Sequence, residues 1–260
     1  MADVTDVLPR IHEALDAAVA ALEPFDQGRI REETKAGGDP VTAADLAVDA
    51  VLRTTLLRAG EGWLSEETVD EPSRLDATNV WVVDPLDGTR EFVDGIPEWC
   101  VSIGLVENGQ PIAGGVAAPA RGLRVVGQVG LGLQIEGGDP DRPSAGLSGA
   151  LVLASRSEVK RGEWAAFLST PVAVRNMGSV ALKLAMVAAG MADATWTLTP
   201  KNEWDVAGGA ALIHAGGGAT LQPDGEPVVF NRPDTLLPGF VATRTDLMGD
   251  VMALIRSTVG

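Results

Sequence analysis

Trp81-Val82-Val83-Asp84-Pro85-Leu86-Asp87-Gly88-Thr89 decides how this chain is read. A short apolar run at 80–83 has the length and bulk of a buried strand, and it ends in two carboxylates three residues apart. Pro85 stiffens the backbone between them, and Gly88 and Thr89 follow at once. Such a strand end offers hard oxygen ligands, a flexible backbone and a hydroxyl at one point. Those are the groups needed to hold Mg²⁺ against a phosphate.

Working outward, the N-terminal side reads as helical. Val7, Leu8, Ile11, Leu15, Ala18, Val19 and Leu22 recur at helical spacing, and Pro24 ends the run. Thr34-Lys35-Ala36-Gly37-Gly38-Asp39-Pro40 reads as a loop. A second helix is expected from Thr42, turning Leu46, Val48, Val51, Leu52 and Leu56 inward. Residues 60–63 are expected to turn the chain toward Leu64-Ser65-Glu66-Glu67.

On the C-terminal side, apolar runs at 101–106 and 111–116 flank Asn108-Gly109, which predicts a β-hairpin. Two glycine-rich strands are expected at 123–135, and a linker at 137–144. Beyond it the pattern predicts a strand at 151–153 and helices near 163–168, 182–189 and 206–215. Antiparallel strands early and alternating strands and helices later predict a layered α/β protein. The expected division is 1–143, an α+β half with most of the candidate ligands, and 144–260, an α/β half carrying Asp205.

Composition narrows the function classes. The 260 residues are 45% hydrophobic and 22% charged, an ordinary globular balance. No run of eighteen apolar residues occurs, so no membrane span is expected. The acidic start, Met1-Ala2-Asp3-Val4-Thr5-Asp6, lacks the layout of a signal peptide, and a cytoplasmic protein is expected. Cys100 is the sole cysteine, which excludes an internal disulfide and a multi-cysteine metal site. A net charge of −16 argues against polymeric nucleic acid as a partner. It leaves a small anionic substrate open, because bound cations invert the local field.

Four acidic positions stand beside the opening motif, each with two readings. Asp45, three after Thr42, has the spacing of a helix cap. Glu66 and Glu67 read as solvated charges or as ligands. Asp205 opens a helix, where negative charge complements the dipole, or it binds a cation. Asp84, at the end of a very apolar strand, is costly to leave unpaired and implies a counter-cation. Gly88 and Thr89 suit a phosphate cradle. The Thr89 hydroxyl can accept a hydrogen bond from an attacking water and pass one to Asp45. His12 and His214 read as structural.

Taken in order, these segments resemble the inositol monophosphatase superfamily of Mg²⁺-dependent, lithium-sensitive phosphatases. The resemblance is carried by Val41-Thr42-Ala43-Ala44-Asp45, Ser65-Glu66-Glu67, Asp84-Pro85-Leu86-Asp87-Gly88-Thr89, and Trp204-Asp205 running to Ala215-Gly216-Gly217. It spans about residues 35–240 and implies an αβαβα five-layer sandwich. It also implies that Glu66, Asp84 and the Leu86 carbonyl hold one metal, and Asp84, Asp87 and Asp205 a second. A third ion would use Glu66 again. Asp45 and Thr89, with Glu66, would orient the water, and Gly88 and Thr89 would give backbone N–H groups to the phosphate. Family members are often dimers, so a homodimer is possible on this reading.

Gly88-Thr89-Arg90-Glu91-Phe92 is similar to the CysQ-type 3′(2′),5′-bisphosphate nucleotidases of sulfate assimilation. Inositol phosphatases usually continue Gly-Thr-Thr-Asn-Phe. Ala154-Ser155-Arg156-Ser157, Gly178-Ser179-Val180-Ala181-Leu182-Lys183 and Pro238-Gly239-Phe240 resemble the same group, although Val180-Ala181 departs from it. This resemblance implies removal of the 3′-phosphate of 3′-phosphoadenosine 5′-phosphate. Arg90, Ser179, Lys183 and Asp205 would then be substrate contacts, with Arg90 or Lys183 facing the second phosphate. Trp99, Trp164, Trp196 and Trp204 are candidates to stack on the base, or core residues. An inositol or sugar phosphatase is the alternative, and a non-catalytic phosphate- or metal-binding protein of the same fold the remaining one.

Overall fold

A computed structural model describes residues 6–30, 32–34, 40–139 and 144–259. The expected loop at 35–39, residues 140–143 of the expected linker and residues 1–5 of the acidic start lie outside the described residues.

The first layer is a helix pair, α1 (Val7–Leu22) and α2 (Ala43–Leu56), joined through a short ribbon of β1 (Glu32–Thr34) and β2 (Pro40–Thr42). The second is a six-stranded sheet in sequence order. Its strands are β3 (Gly62–Ser65), β4 (Asn79–Asp87), β5 (Cys100–Glu107), β6 (Gln110–Ala118), β7 (Leu123–Gln128) and β8 (Gly132–Glu136). Only β3 and β4 run parallel. A one-turn helix, α3 (Thr89–Val93), follows β4.

The remaining strands are β9 (Leu151–Ser155), β10 (Ala173–Met177), β11 (Ala194–Thr197), β12 (Lys201–Asn202), β13 (Gly218–Leu221), β14 (Leu236–Leu237) and β15 (Phe240–Arg244). Five of them form a second sheet, ordered β10-β9-β11-β15-β13, while β12 and β14 make a separate ribbon. Helices α4 (Arg156–Lys160), α5 (Val180–Ala188), α6 (Glu203–Ala215) and α7 (Met248–Val259) complete the chain. Helices α5 and α6 lie between the two sheets, and α7 covers the far face of the second. The result is the αβαβα sandwich. No described helix is long and apolar enough to cross a membrane.

The apolar run at 80–83 is explained by this layering. Side chains alternate along a strand, and both faces of β4 are covered. Trp81 and Val83 join the core beneath α1 and α2, while Val80 and Val82 join the core around α5 and α6. Asp84 follows in the same alternation and points toward α6.

The hairpin forms as expected, with Asn108 (φ 50°) and Gly109 (φ 80°) both left-handed at its turn. Three expectations are corrected. Leu46 is not turned inward: it is 55% exposed. The buried stripe of α2 is Ala44, Val48, Leu52 and Leu56, and a residue two places off that stripe lies on the opposite side. The helix expected near 163–168 is α4, earlier in the chain, followed by a 3₁₀ turn at Ala165–Ser169. Gly162 (φ 82°) breaks the α-helix, and Trp164 and Phe167, three apart and buried, suit the three-residue repeat that follows. Residues 60–63 are not all turn, since Gly62 already begins β3.

Candidate active site

Where β4 ends, three steps from Asp84 to Asp87 stand opposite only two on β5, from Ser102 to Cys100. That mismatch is a bulge of one extra residue. In a regular strand, residues three apart face opposite sides. The extra residue swings Asp87 round, so that Asp84 and Asp87 both line one cleft of about 320 Å³. Pro85 is tolerated because the bulge needs no ladder hydrogen bond there. The Leu86 N–H instead donates to Asp84 Oδ1 at 3.0 Å. Gly88 then takes φ 96°, and a Cβ there would lie 2.8 Å from the Glu98 carbonyl oxygen. Only glycine satisfies both conditions.

The remaining acids arrive from three other elements. Parallel pairing of β3 with β4 puts Ser65 opposite Val83, so Glu66 emerges beside Asp84. Asp205 is brought by α6, whose backbone lies directly on the first sheet: a Cβ on Gly208 would sit 2.6 Å from Ser102 Oγ. One carboxylate oxygen from each of Glu66, Asp84 and Asp205 lies within 4.8 Å of the others. Asp45, in the first turn of α2, accepts from the Thr42 N–H (2.8 Å) and hydroxyl (2.6 Å) on Oδ2. Its Oδ1 lies 3.0 Å from Thr89 Oγ1, which is also 3.0 Å from the Leu86 carbonyl.

Helix capping and cleft chemistry therefore coexist on the same groups. Asp205 Oδ2 accepts the Asn202 N–H at 2.9 Å, and Asp87 Oδ2 accepts the Ser179 hydroxyl at 2.7 Å and the Ala181 N–H. A carboxylate has two oxygens, so each anchoring bond leaves the other for a cation.

The electrostatics show what this crowding costs. Burial, then the negative charges of Glu66, Asp87, Asp205 and Asp45, push Asp84 well above the usual carboxylate range. Burial, then Asp87 and Glu66, push Asp205 up to about 8. Asp87 is also raised by burial, against the pull of Ser179, the Ala181 N–H and Lys183. Like charges in a desolvated place require either protons or cations. Clustered hard oxygens fit a divalent cation of the Mg²⁺ type.

Cations form another wall of the same cleft. Lys183 on α5 is buried, donates from Nζ to the Ser179 carbonyl at 2.8 Å, and is pulled down by burial. Lys201 on β12 pairs with the buried Glu158 at 3.4 Å. Arg156, at the start of α4, donates to Glu98. Exposed Arg90 lines the same cleft, as do Gly88 and Ser179. Ser179 holds a left-handed φ of 53° while its hydroxyl accepts from the Leu182 N–H at 3.0 Å.

The site residues expected from the sequence line this cleft except Asp45, which reaches it through Thr89, and Glu67, which is not among the lining residues. Arg156 and Lys201 line the cleft as well, without a role expected from the sequence: Arg156 falls within Ala154-Ser155-Arg156-Ser157, whereas Lys201 sits in a two-residue strand with no pattern of its own. Of the four tryptophans, Trp204 alone lines the cleft. Trp99, Trp164 and Trp196 are core, the latter two stacked at 4.9 Å. His12 pairs with Gln134 and His214 with Thr220, away from the cleft.

Residues 4–256 match the model of the inositol monophosphatase family. The chain belongs to this family. It is 34% identical over 266 residues to a 3′-phosphoadenosine 5′-phosphate phosphatase of Mycobacterium leprae, covering 94% of each chain. It is 41% identical over 200 residues to an inositol-1-monophosphatase of the same organism, covering 71% of this chain and 68% of that one. An inositol monophosphatase structure from Anabaena (Nostoc) superposes with a TM-score of 0.80 at 28% identity, covering 99% of this chain and 98% of that one. This inositol monophosphatase family member is therefore a phosphatase, with an acidic group able to hold metal.

Proposed function

We propose that the protein is a Mg²⁺-dependent 3′(2′),5′-bisphosphate nucleotidase that removes the 3′-phosphate of 3′-phosphoadenosine 5′-phosphate. The observation that carries this reading is the meeting, in one cleft, of the carboxylate floor with a cationic wall. A monoester needs only the floor, while a substrate with a second phosphate also needs cations at a distance from it.

Glu66, Asp84, Asp87, Asp205 and the Leu86 carbonyl would hold the ions. Divalent cations bound there supply charge neutralisation for the phosphate, an acidified water and stabilisation of the leaving oxygen. The chain's own part is orientation and proton handling. Thr89 Oγ1 donates to Asp45 Oδ1, which turns its lone pair toward the cleft to accept from the attacking water. Asp45 is fixed for this by its two bonds from Thr42. Glu66, close to Asp84 and Asp205, would take part in orienting the water. Backbone N–H groups of Gly88 and Thr89 would meet the phosphate oxygens, and Arg90, Ser179, Lys183 and Asp205 the rest of the substrate. The M. leprae 3′-phosphoadenosine 5′-phosphate phosphatase, aligned almost end to end, supports the nucleotide.

A second reading is an inositol-1-monophosphatase. The higher identity to the M. leprae inositol-1-monophosphatase, over a shorter span, favours it, as does Val180-Ala181. Phosphate release with Mg²⁺ from 3′-phosphoadenosine 5′-phosphate and from inositol 1-phosphate, measured side by side, decides between them. A preference of tenfold or more for the inositol ester, about 1.4 kcal/mol, overturns the nucleotide reading. Release from neither substrate sinks both. Inhibition by Li⁺ is expected.

A further inference from the structure

Two stretches bring charged side chains to the cleft from different parts of the chain: Arg90-Glu91 after the metal motif, and Ser155-Arg156-Ser157. Distant in sequence, they meet at the cleft. Arg156 donates through Nη2 to Glu98 Oε2, which also accepts the Gly178 N–H at 2.8 Å. Arg156 Nε lies 3.8 Å from Glu91 Oε1, is buried, and makes no hydrogen bond among the described residues.

We propose that Arg156 is the residue that selects a substrate carrying a second phosphate, and that Glu91 and Glu98 are positioning residues for its guanidinium. The proposal rests on the bisphosphate nucleotidase reading. A guanidinium has five N–H donors in a fixed plane. Glu98 takes one, and the side chain remains 39% exposed. Two of the neighbouring cations, Lys183 and Lys201, are more committed, while Arg90 lies further out, exposed, on the same cleft. Lys183 is 3% exposed and tied to the Ser179 carbonyl. The Lys201 side chain is 17% exposed and paired with Glu158.

Two carboxylates beside Arg156 offset much of its charge, so its value lies in direction. They hold the planar fork in place, and a fork matches a phosphate through two parallel hydrogen bonds. Lysine, a point charge, cannot reproduce that.

The test compares 3′-phosphoadenosine 5′-phosphate with 3′-AMP, which lacks the second phosphate, and reads the ratio of the two kcat/KM values. In Arg156→Gln and Arg156→Lys this ratio should fall about fivefold or more, while hydrolysis of 3′-AMP stays within about threefold of wild type and so reports an intact fold. A smaller fall in Arg156→Gln, or equal losses on both substrates, overturns the proposal. Full recovery of the ratio in Arg156→Lys overturns the positioning role of Glu91 and Glu98. Wild type that treats both nucleotides alike overturns the selection by Arg156 and leaves the phosphatase chemistry standing. Wild type that cleaves inositol 1-phosphate and neither nucleotide overturns the proposed function, and this proposal with it.

Discussion

On the floor of the cleft, carboxylates are forced together; on its cationic wall, Arg156 and Lys201 each have an acid partner and Lys183 a carbonyl. The floor is therefore an unbalanced set, its carboxyls raised first by burial and, at Asp84 and Asp205, further by crowding, whereas much of the wall is compensated. Unbalanced charge demands a counter-ion and gives chemistry. Compensated charge contributes little net attraction and discriminates by geometry. Losses on the floor should accordingly be large and common to all substrates, while losses on the wall should be smaller and substrate-dependent.

The sharpest way to break this contrast is Asp84→Asn. Losing a mere hydrogen-bond partner of a metal ligand typically costs about 10–100-fold, so losing this buried carboxylate should lower kcat/KM by about a thousandfold for every phosphomonoester. Undiminished turnover with Mg²⁺ would refute the role of the floor. Thr89→Ala comes next. It removes the hydroxyl between Asp45 and the cleft and should cost about a hundredfold in kcat, with KM little changed. A loss confined to KM would mean that Thr89 only binds.

Ser179→Ala probes the seam between the two regions, because its hydroxyl anchors Asp87 from the wall side. The Mg²⁺ concentration for half-maximal activity should rise about tenfold, as for other groups that orient metal ligands. An unchanged metal requirement would separate Ser179 from the floor.

The mildest effect concerns stability. Asp205 is held near 8 by burial and its acidic neighbours, above the ordinary carboxylate value. Between those two values the folded chain binds more protons than the unfolded one, so this contribution is fully present in acid and fades as pH rises through the window. Metal-free protein should thus show a higher Tm near about pH 5 than near about pH 8, with a flatter dependence in Asp205→Asn. The same slope in both proteins would place its origin elsewhere.

How far the sequence could be read follows from the range of the forces involved. The α1 stripe, the Asn108-Gly109 hairpin and the Thr42–Asp45 cap are local patterns and were legible directly. The acids were legible as a set because one motif after another supplies them in order. Two things were hidden. The bulge at Pro85–Leu86, which lets Asp84 and Asp87 share a side, exists only against the register of β5. The pairing of Arg156 with Glu98 and Glu91 joins separate parts of the chain and leaves no local trace. Asp45 and Asp205 each cap a helix through one oxygen and turn the other toward Thr89 or the cleft, so a cap reading and a site reading hold together.

That double use bears on which ion the cage admits. Asp84, Asp87 and Asp205 are each tethered through one oxygen to the backbone or to a cap, so they cannot spread freely. Mg²⁺ asks for short bonds in a strict octahedron, whereas Ca²⁺ needs a wider and more pliable shell. A Ca²⁺ ion would have to draw these side chains off their tethers, loosening the start of α6 and the turn before α5. On the metal-dependent reading, the hydrogen bonds that hold the bulge and cap the helices would also favour the smaller ion.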